Sequence, residues 1–358
     1  MRFIRKLISL VVAIVLFMFG TALLLYSNYL KPVSNSYEEK IIEIKQGLNS
    51  KQIGDILAEN KIIHNNRLFI FYLKLNDVRD LKAGTYKLSP SYSLKQIVEI
   101  LRKGEVYKDD TIRITFKEGI NYREFANVIA ENTNNSYDDV MNVLNDTDYI
   151  NSLINDFWFI TEDIKNPDIY YSLEGYLFPD TYEFKNRDVT VPEIFIKLLD
   201  QMDNVLRPYK EKIDASEFSI HELLTLASLA EKEVSNKVDS DARRKVVSVF
   251  VNRINKKMSL GSDITTRYGL KLDDSRPLTK SEYNSNNAYN TRNTNMLGLP
   301  ASPICMVSRD SIEASINRID TNYLYFIANV TTKETFFYET SSAFEAKKAE
   351  LSKVNGGY

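Results

Sequence analysis

Cysteine is almost missing from this chain: Cys305 is the only one in 358 residues. No intrachain disulfide can form, and neither a disulfide scaffold nor a cysteine zinc site can be built. Histidine is nearly as scarce, with only His64 and His221. That argues against a histidine-rich metal centre and against a histidine proton relay. Neither sign of charge is in excess, since 46 Lys and Arg face 48 Asp and Glu. The broad basic surface of a nucleic-acid binder is therefore not indicated. Acid–base chemistry falls to carboxylates, with no metal and no cofactor expected. The hydrophobic share of 44% and charged share of 26% are ordinary for a globular protein, and the length suits about two or three domains.

One long apolar run is present. Arg2, Arg5 and Lys6 precede residues 7–26, a stretch without a charge that is long enough to cross a bilayer as a helix. A signal peptide also places basic residues before an apolar run. Here the run is longer than such a region usually is, and the bulky "LLLYSNYL" that closes it has no small-x-small cleavage site. A retained single-pass anchor in the cell membrane is expected. Residues 1–6 form a cytoplasmic tail, and everything beyond residue 30 lies outside the cell.

Residues 27–36 read as a polar linker, and an internal repeat follows. "IEIKQGLNSKQIGDILAEN" at 42–60 aligns without gaps on "ITFKEGINYREFANVIAEN" at 114–132. Each copy reads as a short strand, a turn at Gly47 or Gly119, and an amphipathic helix. The helices open on Asn49 with Gln52 and on Asn121 with Glu124, the spacing of a capping box. A shorter relative at 86–104 uses Ser93 with Gln96 in the same way. With a helix at "NNRLFIFYLKL" between them, residues 37–108 read as a β-α-α-β-α module. It is either a structural spacer or a carbohydrate-binding unit resembling the LysM domain.

The region 109–358 is expected to be mixed α+β. "LEGYLFPDTYEF" at 173–184 carries Pro179 and Asp180, which place its aromatics on a loop or strand end. Residues 221–234 and 243–256 read as helices, the second with a stripe of Val246, Val247, Phe250, Val251 and Ile254. "MSLGSDITTRYGL" and 284–295 read as turns and loop. Helices are expected over 311–318 and 342–353, and a strand over 323–330.

The helix at 221–234 raises a chemical question, because its apolar run ends in Glu231-Lys232-Glu233. On a helical wheel Glu231 falls between Ala227 and Leu224, and Glu233 between Leu226 and Leu229. Both lie within the apolar arc. His221, Thr225, Ser228 and Lys232 gather opposite. A carboxyl on an apolar face costs desolvation energy when ionised, which raises its pKa and suits it to donate a proton. The competing reading is a glutamate that turns outward or pairs with Arg243, Arg244 or Lys245. The wheel leaves the two glutamates tied.

Six motifs in order, "LEGYLFPDTYEF", "LASLAEKEV", "VFVNRINKKMSLGSDITTRYG", "AYNT", "GLPASPI" and "YLYFIAN", follow the N-terminal apolar run. This combination resembles the endolytic murein transglycosylases of the YceG-like family over nearly all the chain from about residue 40. The resemblance implies a bitopic membrane protein with a LysM-like subdomain and an outward-facing catalytic domain. That domain would cleave the β-1,4 bond between N-acetylmuramic acid and N-acetylglucosamine in nascent glycan strands, leaving a 1,6-anhydro end. It implies Glu231 as the catalytic acid and base. Glu174, Asp180, Asn252, Asp263, Thr265, Tyr268, Tyr289, Asn290 and Thr291 match as substrate-binding positions, and Glu233 as a structural or orienting group. Peptidoglycan strands, and the synthases of elongation or division, are the implied partners.

The chain departs from the family pattern at Ile264, where proline is usual, and at Arg292, where a second tyrosine is frequent. Ala301 and Ser302 stand where proline and glycine follow "GLP". Met306-Val307-Ser308 replaces Asn-Pro-Gly, and Thr335 and Phe344 occupy histidine positions. Such losses of Pro and Gly alter loop shape. A second function class therefore stays open: a non-catalytic glycan-binding scaffold of the wall-synthesis machinery.

Overall fold

The structure, a computed structural model, describes residues 2–234, 241–272, 276–329 and 331–354. The chain divides into two compact units, Met1–Asp109 and Asp110–Tyr358.

The first unit opens with α1 (Arg2–Tyr29), followed by β1 (Lys40–Ile44), α2 (Ser50–Glu59), α3 (Asn66–Leu75), β2 (Gly84–Leu88) and α4 (Leu94–Lys103). Within α1 the window Leu10–Tyr29 is long and apolar enough to cross a membrane, and none of it is buried by protein. β1 and β2 pair antiparallel, with Ile42 opposite Tyr86 and Ile44 opposite Gly84. Alternation along both strands points Ile42, Ile44, Tyr86 and Leu88 at the three helices, where Leu57, Phe69 and Leu101 complete the core. Each such side chain contributes roughly 1.5–3 kcal/mol by leaving water. The boxes at Asn49/Gln52 and Ser93/Gln96 are both formed. Gly47 takes the left-handed φ of +87° at the strand-to-helix turn. Residues 27–36, read as a linker, are tied down instead. The first three continue α1, Leu94 N donates to Leu30 O at 3.1 Å, and Ser34 N donates to Pro90 O at 3.0 Å.

The second unit runs β3 (Ile112–Thr115), α5 (Tyr122–Asn132), α6 (Tyr137–Val143), α7 (Thr147–Asp156), β4 (Thr181–Phe184), α8 (Val191–Leu206) and α9 (Lys210–Asp214). It continues with α10 (Ile220–Glu233), α11 (Ala242–Asn255), α12 (Asp263–Gly269), α13 (Lys280–Tyr283), α14 (Arg309–Ile316), β5 (Tyr325–Ala328), β6 (Thr335–Tyr338) and α15 (Ser341–Val354). β3 pairs antiparallel with β4, and β5 with β6. The repeat's second copy thus closes its ladder with "TYEF". The strand expected over 323–330 is shorter, and Val330 lies outside the described residues. "GSDITTRYG", read as turns, carries α12. Its short length and polar face hide the helical period that a longer segment would show.

α10 is the axis of this unit. From Ile220 to Ala230 only Glu222, whose carboxylate accepts Ser219 N, is not buried, so the helix is enclosed over most of its surface. The face that the wheel assigned to His221, Thr225 and Ser228 is covered too. Thr225 Oγ1 donates to His221 O at 2.8 Å, and Ser228 Oγ donates to Thr225 O at 2.8 Å. Hydroxyls satisfied by their own helix can be buried without an orphaned donor.

Candidate functional site

The two glutamates leave the end of α10 in opposite directions. Residues two apart on a helix are separated by about 200°, so each meets a different wall. Glu231 meets the start of α14. Ser308, the N-cap of that helix, donates its backbone N–H to Glu231 Oε2 at 3.0 Å. Ser308 Oγ contacts the same oxygen, and Ser311 Oγ donates to it at 2.6 Å. Arg243 of α11 donates to Oε1 at 3.2 Å and reaches Asp310 at 3.6 Å. The side chain of Glu231 is only 7% exposed. The carboxylate therefore sits at the positive end of a helix, among hydroxyls and a guanidinium. The ion pair weighed as a competing reading is formed. It does not remove the acid reading, because the two serine hydroxyls can turn and accept a hydrogen bond from a protonated carboxyl as well as donate one to a carboxylate.

Glu233 faces the loop before α12. Ser262 Oγ donates to its Oε1 at 2.6 Å. Burial raises the pKa of this carboxyl; the Ser262 hydrogen bond opposes the rise, Asp263 adds to it, and Arg292 and Arg253 act against it. Between the glutamates, Lys232 donates from Nζ to Gly119 O at 3.0 Å. Gly119 holds φ +77° in the turn before α5, and a Cβ added there would lie 4.0 Å from Glu231 Cγ.

A cleft of about 240 Å³ opens beside Lys232. One wall is the start of α5, with Asn121, Arg123 and Glu124; the other is α12, with Ile264, Arg267 and Tyr268. The capping box Asn121/Glu124 builds the first wall. The departure at Ile264 lies on the second. Glu174 ties the two together from behind, since its Oε2 accepts Tyr122 N and the Tyr268 hydroxyl, each at 2.9 Å. Glu174 is 1% exposed. Burial pushes its pKa up to about 8, against the pull of these two donors and of Arg123. Its other oxygen has no hydrogen-bond partner, which is where a proton on a neutral carboxyl would sit.

Most of the positions matched as substrate-binding are buried. Thr265, Tyr289, Asn290 and Thr291 are fully buried. Thr265 and Thr291 hydroxyls lie 2.7 Å apart, and Thr291 Oγ1 accepts Ser262 N at 3.1 Å. Thr266 Oγ1 donates to Asn290 Oδ1 at 2.6 Å, while Asn290 Nδ2 donates to Ser285 O at 2.7 Å and Tyr283 O at 3.0 Å. Tyr289 pairs its hydroxyl with Ser302 Oγ at 2.9 Å and receives Tyr170 N at 3.1 Å. These four side chains, like Glu174, are buried in the structure and bonded to neighbouring protein groups. Asp263 stands at the start of α12 and receives Arg292 Nε at 2.6 Å. The departure at Arg292 thus neutralises a matched carboxylate. Tyr268 reaches the cleft. Asn252 is spent on the carbonyls of Thr321 and Tyr323, at 2.7 and 2.9 Å. Asp180 is exposed where β4 begins, and its carboxylate accepts Thr181 N at 2.7 Å. Neither is brought to α10 by any described hydrogen bond.

Two serines escaped sequence reasoning. Ser308 stood out only as part of a departure, and Ser311 not at all, yet both hold Glu231. The Ser-x-x-Ser spacing before a helix was the legible signal. Among the described residues no group of three or more His, Cys, Asp and Glu side chains could hold a metal ion. His221 is structural. Its Nε2 donates to Ala301 O at 2.9 Å and its Nδ1 lies 2.9 Å from the Tyr176 hydroxyl.

Within a mixed α+β unit, a largely buried central helix delivers two carboxyls to opposite walls beside a polar cleft, and the described residues hold no metal-ligand cluster. The model of the YceG-like family matches residues 42–350, and the chain belongs to that family. A Bacillus subtilis (strain 168) protein named endolytic murein transglycosylase is 33% identical over 339 residues, covering 94% of this chain and 92% of the relative. A protein of the same name from Streptococcus pneumoniae serotype 2 (strain D39) is 30% identical over 338 residues; the match covers 90% of this chain but 60% of that longer relative. A crystal structure of a YceG-like protein from Listeria monocytogenes superposes with a TM-score of 0.61 at 32% identity, covering 87% of this chain and 99% of that one.

Proposed function

We propose that this chain is a membrane-anchored lytic transglycosylase that cuts nascent peptidoglycan glycan strands internally. The observation that carries the reading is the match, over nearly the full length of both chains, to a relative bearing that name. The N-terminal apolar helix would hold it in the cell membrane with the second unit outside, within reach of wall synthases. The β-α-α-β-α module would act as a LysM-like glycan-binding unit.

In the reaction, Glu231 in its acid form donates a proton to the oxygen linking N-acetylmuramic acid to N-acetylglucosamine. The C1–O bond breaks as positive charge builds on C1 and the ring oxygen. The Glu231 carboxylate then takes the proton of the muramyl C6 hydroxyl, and O6 bonds to C1. The 1,6-anhydro ring closes, the acid is restored, and no water attacks. One well-held carboxyl suffices, unlike the paired carboxylates of ordinary glycosidases. Ser308 and Ser311 keep that carboxyl in place through both protonation states.

A second reading gives the proton to Glu233, because burial raises its pKa and a single hydroxyl contacts it. The test incubates the protein with uncrosslinked glycan strands and reads anhydro-muramyl ends by mass spectrometry. Glu231→Gln is expected to lose at least ~100-fold in rate, the usual worth of a general acid, and Glu233→Gln much less. The reverse order transfers the role to Glu233. If the wild type forms no anhydro ends, the enzymatic reading fails and the glycan-binding scaffold stands.

A further inference from the structure

We infer that the outward face of α3 is a membrane-docking surface, which seats the N-terminal module in the headgroup region of the bilayer at the outer end of α1. The inference rests on the anchor reading above. Arg67, Phe71, Lys74 and Leu75 recur at i, i+4, i+7 and i+8, one side of a helix, and all four are exposed. Phe71 is 51% and Leu75 63% exposed, although the opposite side of the same helix buries Phe69 and Leu73 in the module core. Large apolar side chains flanked by cations suit a helix lying in a membrane interface. The rings and branched chains enter the acyl boundary while Arg and Lys extend to phosphates.

The anchor identifies the occupant. Its apolar window, Leu10–Tyr29, has 20 residues, about 30 Å of helix, which matches the hydrocarbon thickness. Tyr29 therefore stands at the outer boundary, with Tyr26 about 4.5 Å deeper. Tyr26 meets the Phe71 ring edge-on at 5.5 Å, and Tyr29 meets His64, just before α3, at 5.6 Å. Both tyrosines sit where interfacial aromatics collect, so the Phe71 ring is at membrane depth. The connection has no slack that would let the module swing away. Leu94 N holds Leu30 O at 3.1 Å and Ser34 N holds Pro90 O at 3.0 Å. Bilayer lipid covers Phe71 and Leu75.

The test uses the full chain in lipid nanodiscs of phosphatidylcholine and phosphatidylglycerol. Cys305 is buried, so a nitroxide reagent labels introduced cysteines at Leu75→Cys, Lys74→Cys, Phe17→Cys within the span, and Lys103→Cys at the far end of α4. Power saturation compares collisions with oxygen, which enriches in lipid, against a water-soluble nickel chelate. The label at 75 is expected to show an oxygen-to-nickel ratio several-fold above that at 103 and below that at 17, with 74 intermediate. A ratio at 75 and 74 equal to that at 103, with 17 still shielded, overturns the docking while leaving the anchor intact. That result would return the exposed face to a protein partner. Water exposure at 17 overturns the anchor reading and the docking with it. Both labelled sites on α3 are solvent-exposed, so neither substitution removes a core contact.

Discussion

Glu174 shows what burial does to a carboxyl that matches the family pattern. Its carboxyl is buried between the start of α5 and Tyr268 of α12, and burial raises its pKa to about 8. An acid whose folded pKa exceeds its unfolded value, near 4.5, binds more protons in the native state between those two pH values. Stability from this group is complete below about pH 4.5 and declines as pH rises through about 8. Glu174→Gln keeps the shape and removes the titration. Its urea midpoint is expected to change less between pH 5 and pH 8.5 than that of the wild type. An unchanged slope would mean that the group does not titrate in this window. Glu231 and Glu233 differ in their partners: three donor groups of Ser308 and Ser311 and the Arg243 guanidinium hold the first, and the Ser262 hydroxyl the second, a difference that identical residue types cannot reveal.

At the scale of elements, the site depends on helix starts. α5, α10 and α14 all open on a side-chain cap, at Asn121, Ser219 and Ser308. Two of those starts touch the cleft or Glu231. Ser308 does two jobs, since its hydroxyl accepts Ser311 N at 3.2 Å and also meets Glu231. Ser308→Ala should cost ~1 kcal/mol as a lost cap. It should also lower kcat with KM nearly unchanged, because the acid loses its alignment while the cleft walls stay. Denaturation and steady-state assays on glycan strands read the two effects separately. Stability lost with kcat intact would reduce Ser308 to a cap. Ser308→Thr, which keeps a hydroxyl, should restore most of both. The element α12 carries the other side of the site and was hidden in a polar stretch, whereas the capping boxes at Asn49, Ser93 and Asn121 were legible because their spacing is local.

For the whole molecule, the anchor reading makes an orientation testable in cells. Protease added outside intact protoplasts is expected to digest the chain down to the membrane, and an alkaline carbonate wash should leave the full chain in the membrane fraction. Protection of the second unit from the protease would place it inside and contradict the charge asymmetry around residues 2–6. Near-full-length agreement with a YceG-like crystal structure was foreshadowed by six motifs in order. The linker reading of 27–36 went astray because polar composition does not say whether backbone groups are tied. Leu30 and Ser34 are bonded to residues some sixty positions away.

What the sequence by itself determined is local or periodic: the apolar length of the N-terminal helix, the turns at Gly47 and Gly119, the capping boxes, the α+β order and the family motifs. Each follows from spacing along the chain, which the residues themselves carry. Only the tertiary structure decided that α10 is enclosed over most of its surface, that Glu231 rests on α14 and Glu233 on the Ser262 loop, and that most of the matched residues are buried. Desolvation and hydrogen-bond partners are set by what packs against a side chain, and those neighbours come from distant parts of the chain.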